Sequence, residues 1–390
     1  MNLLNITSLY SLLINSFHPN YLFCSLNECK YFIKPLYNQC NNYLYNIDNN
    51  QNNQNNQNNQ NNHWNNWNNC NKYIYSDKNY TLINEKWSIF IDFIKKYNKK
   101  YENILTVNNK FQIFHNNLDY IYEHNAQKDI SYTLGINFYS DISYEEYANN
   151  IINFNVLSKK NICVNQKKQY GDYPLSIDWR KENAVTNVKD QGQCGSCWSF
   201  STTGAVEGAY AIKHGNLESL SEQQLIDCSY SYGNYGCNGG LMQNAFTYVH
   251  YNGITTEEKY PYTANSSIKN CNDYTPITYI SSCENVIKNE LQLTYTLSNQ
   301  PVSISIEADS RSFQLYKSGI YDNPSCGTKL DHGVLAVGYG SENGKDYWIV
   351  KNSWGTSWGE DGYIRIARNS VSESTEGICG IAMDASYPIL

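Results

Sequence analysis

The chain has 390 residues, 41% of them hydrophobic, and a formal net charge of −7. That length allows two or three folding units with a sizeable core, and a mean hydropathy of −0.60 excludes a protein with many membrane spans. An acidic balance without a basic run argues against nucleic acid as a partner. The halves differ: residues 1–172 carry 13 acidic and 15 basic side chains, residues 173–390 carry 23 and 14, and the 13 cysteines divide as 5 and 8. The first half is therefore +2 and the second −9.

Residues 1–23 lean apolar, but polar residues interrupt the run and no basic region precedes it. They read as a weak signal segment at best, too short and too polar to span a membrane. Residues 24–80 are low in complexity. From Asn49 to Asn71 every residue is Asn or Gln except His63, Trp64, Trp67 and Cys70. Such a tract buries too little apolar surface to offset its ordering entropy, so disorder is expected. His63 and Cys70 within it make a poor metal site, and no metal is expected. Order should begin near Trp87. Apolar residues at three- and four-residue spacing predict one helix ending near Asn98 and a second through Phe111, Phe114, Leu118 and Ile121. Phe114, Asn117, Ile121 and Asn125 share a face of the second. Gly135, Asn137, Tyr139 and Asp141 follow in a more extended segment.

In the second half, residues 191–198 read Q-G-Q-C-G-S-C-W. Gly192 and Gly195 permit a tight turn, Ser196 can cap a helix, and Gly215 suits its end. Cys197 then falls in the first turn, where the positive end of the helix dipole favours the reactive thiolate. Two other fates stay open: a structural disulfide and a redox pair of Cys194 with Cys197, although no βαβ pattern precedes it.

Three histidines follow residue 173. His214 ends the helix that Cys197 begins, roughly 25 Å away at the usual rise per residue. His250 sits in a Tyr-rich helix end. His332 opens the apolar strand H-G-V-L-A-V-G-Y-G, and a second strand ends in K-N-S-W-G. Pairing of these strands would set Asn352 beside His332, where an amide oxygen can orient the imidazole.

With these residues in view, the second half resembles the papain-like cysteine proteases of the cathepsin L group. The C-G-S-C-W signature has His332 and Asn352 at 135 and 155 residues downstream, close to the family's spacing. D-W-R at Asp178 to Arg180, C-N-G-G at Cys237 to Gly240, P-V-S at Pro301 to Ser303 and W-G-E-D-G-Y at Trp358 to Tyr363 match as well. The resemblance extends upstream to an inhibitory helical prodomain. Its interspersed helix motif falls on Thr106, Lys110, Phe114, Asn117, Ile121 and Asn125, with Thr106 departing, and its second motif falls on Gly135 to Asp141 with Tyr139 in place of Phe.

The resemblance implies an α+β, two-lobed papain-like fold, with a helical lobe and an antiparallel β-barrel-like lobe, preceded by a small helical prodomain. It places the prodomain at 84–145, a linker with the activation cut at 146–172, and the peptidase at 173–390. The cut is expected between Ile162 and Pro174. The opposite net charges of the halves predict faster processing in acid. Cys197 is implied as nucleophile, His332 as its acid–base partner, Asn352 as the group orienting His332, and Gln191 as oxyanion donor. Trp354 would shield the His332–Asn352 bond. Gly239 and Gly240 would receive extended substrate backbone. Leu241, Met242, Ser305, Leu330, Gly333 and Asp384, with Asp331 beside them, would line the pocket for the second residue upstream of the cut, and Asp384 there would favour Arg. The implied bridges are Cys194–Cys237, Cys228–Cys271 and Cys326–Cys379. Cys283 is left over, as a free buried thiol or paired with Cys163 or another chain.

The expected function is thus a cysteine endopeptidase made as a zymogen, inhibited by its own prodomain, acting on proteins and peptides as a monomer and without a cofactor. Three bridges imply an oxidising setting, a lysosome or similar acidic compartment, or secretion. Sequons at Asn79 and Asn265 permit glycosylation. The alternatives are a catalytically inactive relative that binds peptides and a thiol-disulfide oxidoreductase.

Overall fold

The structure is a computed structural model that describes residues 77–150, 161–267, 271, 274–368 and 375–390. The expected signal segment and most of the Asn/Gln-rich tract lie outside these residues. The chain divides into two compact units, Met1–Asn117 and Leu118–Leu390.

In the first unit, α1 (Asp77–Lys96) starts ten residues before the predicted onset of order. The last four residues of the tract expected to be disordered are therefore helical. α2 (Ile104–Asn125) begins in this unit and its last eight residues belong to the second unit; the Asn103 side chain accepts from Thr106 N–H at 3.0 Å at its start. Phe90 and Phe114 are fully buried, and Trp87 meets Phe111 edge-on at 4.6 Å. The three- and four-residue spacing of these aromatics lets two helices share one ring cluster.

The second unit contains the remaining elements in chain order. These are β1 (Tyr132–Leu134), α3 (Tyr144–Asn150), β2 (Val164–Asn165), β3 (Ile177–Asp178), α4 (Cys197–His214), α5 (Glu222–Cys228) and α6 (Met242–Asn252). Then come β4 (Ser282–Asn285), α7 (Glu290–Leu297), β5 (Val302–Ile306), α8 (Arg311–Gln314), β6 (Tyr316–Tyr321), β7 (His332–Glu342), β8 (Lys345–Lys351), β9 (Tyr363–Ala367) and β10 (Ala385–Ile389). The sheet order is β1-β6-β9-β8-β7-β5-β10-β4-β2, with β3 on β7. The pairing is mainly antiparallel but runs as an open path. It is not a closed barrel, because β1 and β2 end it without pairing to each other.

Two apolar cores give the unit its two lobes. One gathers Trp198, Val206, Leu225, Phe246 and Val249 from the helices, and the other Ile304, Trp348 and Ile366 from the strands with Phe313 of α8 and Trp358 of the loop before β9. α4 is buried along most of its length, as a helix apolar or small all round must be. Its small residues set the spacing: a Cβ on Gly204 would lie 2.7 Å from Leu335, and one on Gly208 would lie 2.6 Å from Pro301. Ser201 Oγ donates to Val334 O at 2.7 Å, and Ser303 Oγ donates to Ser201 O at 2.8 Å. Helix and sheet are thereby locked together next to the first turn of α4. β7 and β8 form a hairpin whose two loop residues, Asn343 and Gly344, both have positive φ. That Asn-Gly conformation matches the twist of paired strands and fixes their register.

Four disulfides are present among the described residues. Cys194–Cys237, Cys228–Cys271 and Cys326–Cys379 are bonded, and so is Cys163–Cys283. The reading of Cys283 as a free thiol is therefore corrected: β2 runs beside β4 and brings Cys163 to it. The residues expected as the linker, 146–172, include most of α3 and all of β2.

Candidate active site

Cys197 is the first residue of α4 and has no exposed surface. Ser196 does not cap the helix with its hydroxyl, contrary to the sequence reading. Ser196 Oγ pairs instead with Tyr262 Oη at 2.8 Å, and Tyr262 O–H also lies 2.7 Å from the Gln191 carbonyl. Gly215 ends α4 in the left-handed region at φ 76°, as a C-terminal glycine can.

β5 and β7 pair with Ser305 opposite Gly333 and Ile306 opposite His332. Gly333 N–H donates to Cys197 Sγ at 3.4 Å. A side chain at this crossing would be tight, because a Cβ would stand 3.2 Å from Trp198 Cα and 3.2 Å from Met242 Sδ. His332 Nε2 pairs with Asn352 Oδ1 at 2.8 Å, and Trp354 stacks on the imidazole at 4.8 Å. His332 Nδ1 is buried and has no hydrogen-bond partner among the described residues. Burial pushes the Cys197 thiol up to about 11, partly offset by the N–H groups of Gly333 and Trp198. Burial also pushes His332 down to about 4, opposed by the Asn352 bond. In this buried zymogen site desolvation opposes the charged thiolate–imidazolium pair, which solvent access would favour.

Gln191 is fully buried. Its Oε1 accepts from Ser353 Oγ at 2.6 Å, and its Nε2 donates to Cys194 O at 3.0 Å. Backbone bonding of Gln191 N–H to Ser353 O at 2.8 Å ties it to the same strand end that carries Asn352. Asp331 packs one residue before His332, its Oδ1 accepting from Ala308 N–H at 2.7 Å. Burial, helped by Asp309 and Glu307, pushes its carboxyl up to about 7.

The expected subsite residues lie on several elements. Gly239 has φ 105°, and a Cβ on Gly240 would meet the Trp198 ring at 2.5 Å. Leu241 N–H is held by Asn234 Oδ1 at 2.8 Å. Met242 is buried at the start of α6. Leu330 is half-buried, and a Cβ on Gly380 would touch it at 2.9 Å. Asp384 turns inward, with Oδ1 accepting from Gln243 Nε2 at 2.8 Å and Oδ2 from Ser305 Oγ at 2.7 Å. Sequence reasoning missed Gln243, Ser353 and Tyr262; only Ser353 lay inside a recognised motif, K-N-S-W-G. Cys194 is consumed in its bridge to Cys237, which removes the redox pair with Cys197.

A buried cysteine at a helix start, a strand-opening histidine and an asparagine just past the end of the adjoining strand form the constellation expected of a cysteine protease. The papain family cysteine protease model matches residues 173–389, and the cathepsin propeptide inhibitor domain matches residues 90–147. The chain belongs to the papain family of cysteine proteases and carries the propeptide inhibitor domain of a zymogen. It is 52% identical to "Probable cysteine protease RD21B" of Arabidopsis thaliana over 72% of this chain and 60% of that protein, so it spans less than two thirds of that relative. It is 47% identical to cysteine proteinase 3 of Dictyostelium discoideum, over 77% of this chain and 90% of that one. The solved structure of digestive procathepsin L 3 from Tenebrio molitor larval midgut superposes with a TM-score of 0.71 at 42% identity, covering 79% of this chain and 99% of that one.

Proposed function

We propose that this chain is the zymogen of a cysteine endopeptidase that hydrolyses proteins and peptides as a monomer. The observation that carries the reading is Cys197 at the α4 terminus under Gly333 N–H, with His332 held by Asn352 at 2.8 Å. Once the site is solvated, Cys197 Sγ passes its proton to His332 Nδ1, and the thiolate attacks the peptide carbonyl. Gln191 Nε2 and the Cys197 backbone N–H receive the oxyanion. His332 then protonates the leaving amine, and water, deprotonated by His332, hydrolyses the thioester. Trp354 keeps water from the His332–Asn352 bond. Gly239 and Gly240 receive the substrate backbone, because they lack side chains that would hold it off.

Leu241, Met242, Ser305, Leu330 and Gly333 line the pocket for the second residue upstream of the cut, with Asp331 at its edge. Asp384 at its floor recognises Arg there. The prodomain spans 84–145, and the activating cut falls within 146–172. Four disulfides support an oxidising setting, in an acidic compartment or outside the cell. Intact-mass analysis after exposure of the processed protein to a peptide-like electrophile tests the reading. One adduct on Cys197, absent in His332→Ala, is expected; modification elsewhere with Cys197 untouched would overturn it.

A further inference from the structure

The fourth disulfide joins parts of the chain that an activating cut would be expected to separate. Cys163 lies ten residues before Tyr173, where the peptidase-family match begins, while Cys283 is fully buried in β4. The segment around Cys163 is built into the body by more than the bridge. Val164 and Asn165 pair with Glu284 and Asn285, and Gln166 N–H donates to Asn285 O at 2.9 Å. Gln166 is itself buried, its Nε2 donating to Thr296 Oγ1 at 2.9 Å. Gln169 and Gln292 exchange two bonds, N–H to Oε1 at 2.8 Å and Nε2 to the Gln169 carbonyl at 3.0 Å. Tyr295 O–H donates to Gly171 O at 2.5 Å.

We propose that the Cys163–Cys283 bridge keeps the segment from Cys163 to Asp172 on the mature enzyme. The propeptide then leaves freely only after a cut N-terminal to Cys163. A cut between Cys163 and Tyr173 leaves it tethered until the disulfide is reduced. This rests on the reading of the chain as a zymogen cut within 146–172, and narrows where that cut can act. A tethered inhibitor stays at an effective concentration of roughly millimolar, so a downstream cut by itself would not clear the site. Release would need a dithiol: its thiolate attacks one sulfur, the other leaves as a thiol, and the second thiol closes the reductant's own disulfide. Burial of Cys283 hinders that attack, which makes the upstream cut the effective route.

The test lets the full-length protein process in acid without reductant, alkylates free thiols with iodoacetamide, and maps disulfides by mass spectrometry. The active species should contain the Cys163–Cys283 peptide, with Cys283 unalkylated. An active species that has lost Cys163 without reductant, with Cys283 alkylated, would overturn the proposal. A second arm does not need the protein's own activity. In Cys197→Ala, trypsin can cut after the exposed Lys167 or Lys168. The fragment ending there should stay with the body until dithiothreitol is added; release without it would also overturn the proposal. Failure of the wild type to process, with the fragment tethered as stated, would count against the protease reading and leave retention standing.

Discussion

Tyr139 stands edge-on against Trp354, with ring centroids 5.5 Å apart and planes at 68°. His332 stacks on the same indole at 4.8 Å. Tyr139 falls in the propeptide-family match, so one aromatic layer connects that segment to His332. Tyr147 adds a second edge contact to Trp354 at 5.6 Å, and its hydroxyl donates to Ala308 O at 2.8 Å. Asn137 Nδ2 donates to Gln314 O at 2.8 Å, and β1 pairs with β6.

Tyr139→Ala should loosen this docking. Deleting a buried aromatic ring costs about 3–5 kcal/mol, and here the loss falls on the closed zymogen. The zymogen variant should label at Cys197 faster than wild type at neutral pH. The processed enzyme should keep its kcat/KM, because Tyr139 leaves with the propeptide. Stopped-time labelling followed by mass spectrometry reads both.

The response to acid follows from groups of opposite sign. His332 sits at about 4 against an ordinary 6.5, so the closed form binds fewer protons than the open one. Its contribution is complete above 6.5 and is lost as pH falls toward 4. Asp331, raised to about 7 from 3.8, acts the other way, since protonation favours the closed form. The simple expectation that acid releases the propeptide by neutralising carboxylates is incomplete at this residue. Between pH 7 and about 4–5 the two contributions nearly cancel, so these groups alone give the wild type little acid acceleration of opening. Asp331→Asn should leave the His332 contribution unopposed and make labelling of Cys197 in the zymogen faster in acid than at pH 7; an unchanged pH profile would assign the acid response elsewhere.

Asp384 should control the choice between Arg and Phe at the second residue upstream of the cut. Its two oxygens already accept from two neutral donors, Gln243 Nε2 and Ser305 Oγ. A charged hydrogen bond contributes about 1.5–3 kcal/mol. Asp384→Ala should therefore lower the Arg-to-Phe ratio of kcat/KM by about tenfold or more. The ratio is read from matched peptides, and no change would remove Asp384 from substrate recognition.

How far the sequence reached depends on the range of the interactions involved. Cys197, His332 and Asn352 were legible because the turn glycines, the strand start and K-N-S-W-G each mark a local conformation. The meeting of Gly333 with Cys197 was not, since it depends on strand register and on the space left by Gly204 and Gly208. The partner of Cys283 stayed open for a similar reason: two-residue β2 carries no periodic signal, and only its pairing with β4 brings Cys163 near. The onset of α1 at Asp77 was missed because its first turns adjoin a polar tract. Gln243 looked like any polar helix residue until Asp384, far along the chain, turned toward it.

Ser353 Oγ donates to Gln191 Oε1 at 2.6 Å, and on the proposed reading it would position that amide. Gln191→Ala should lose on the order of a hundredfold in kcat. Ser353→Ala should lose less, with KM nearly unchanged, because the amide is still present but less well aimed. Equal losses for the two variants would mean that Ser353 has a role of its own.

The most direct test of the central claim is peptide hydrolysis by Cys197→Ala, matured by an added protease and freed of it. With the fold verified by circular dichroism, the account predicts hydrolysis indistinguishable from a blank, while the wild type prepared in the same way is active. Retention of about a tenth of the activity or more, which corresponds to a barrier change of only about 1.4 kcal/mol, would contradict a mechanism in which Cys197 forms the acyl-enzyme.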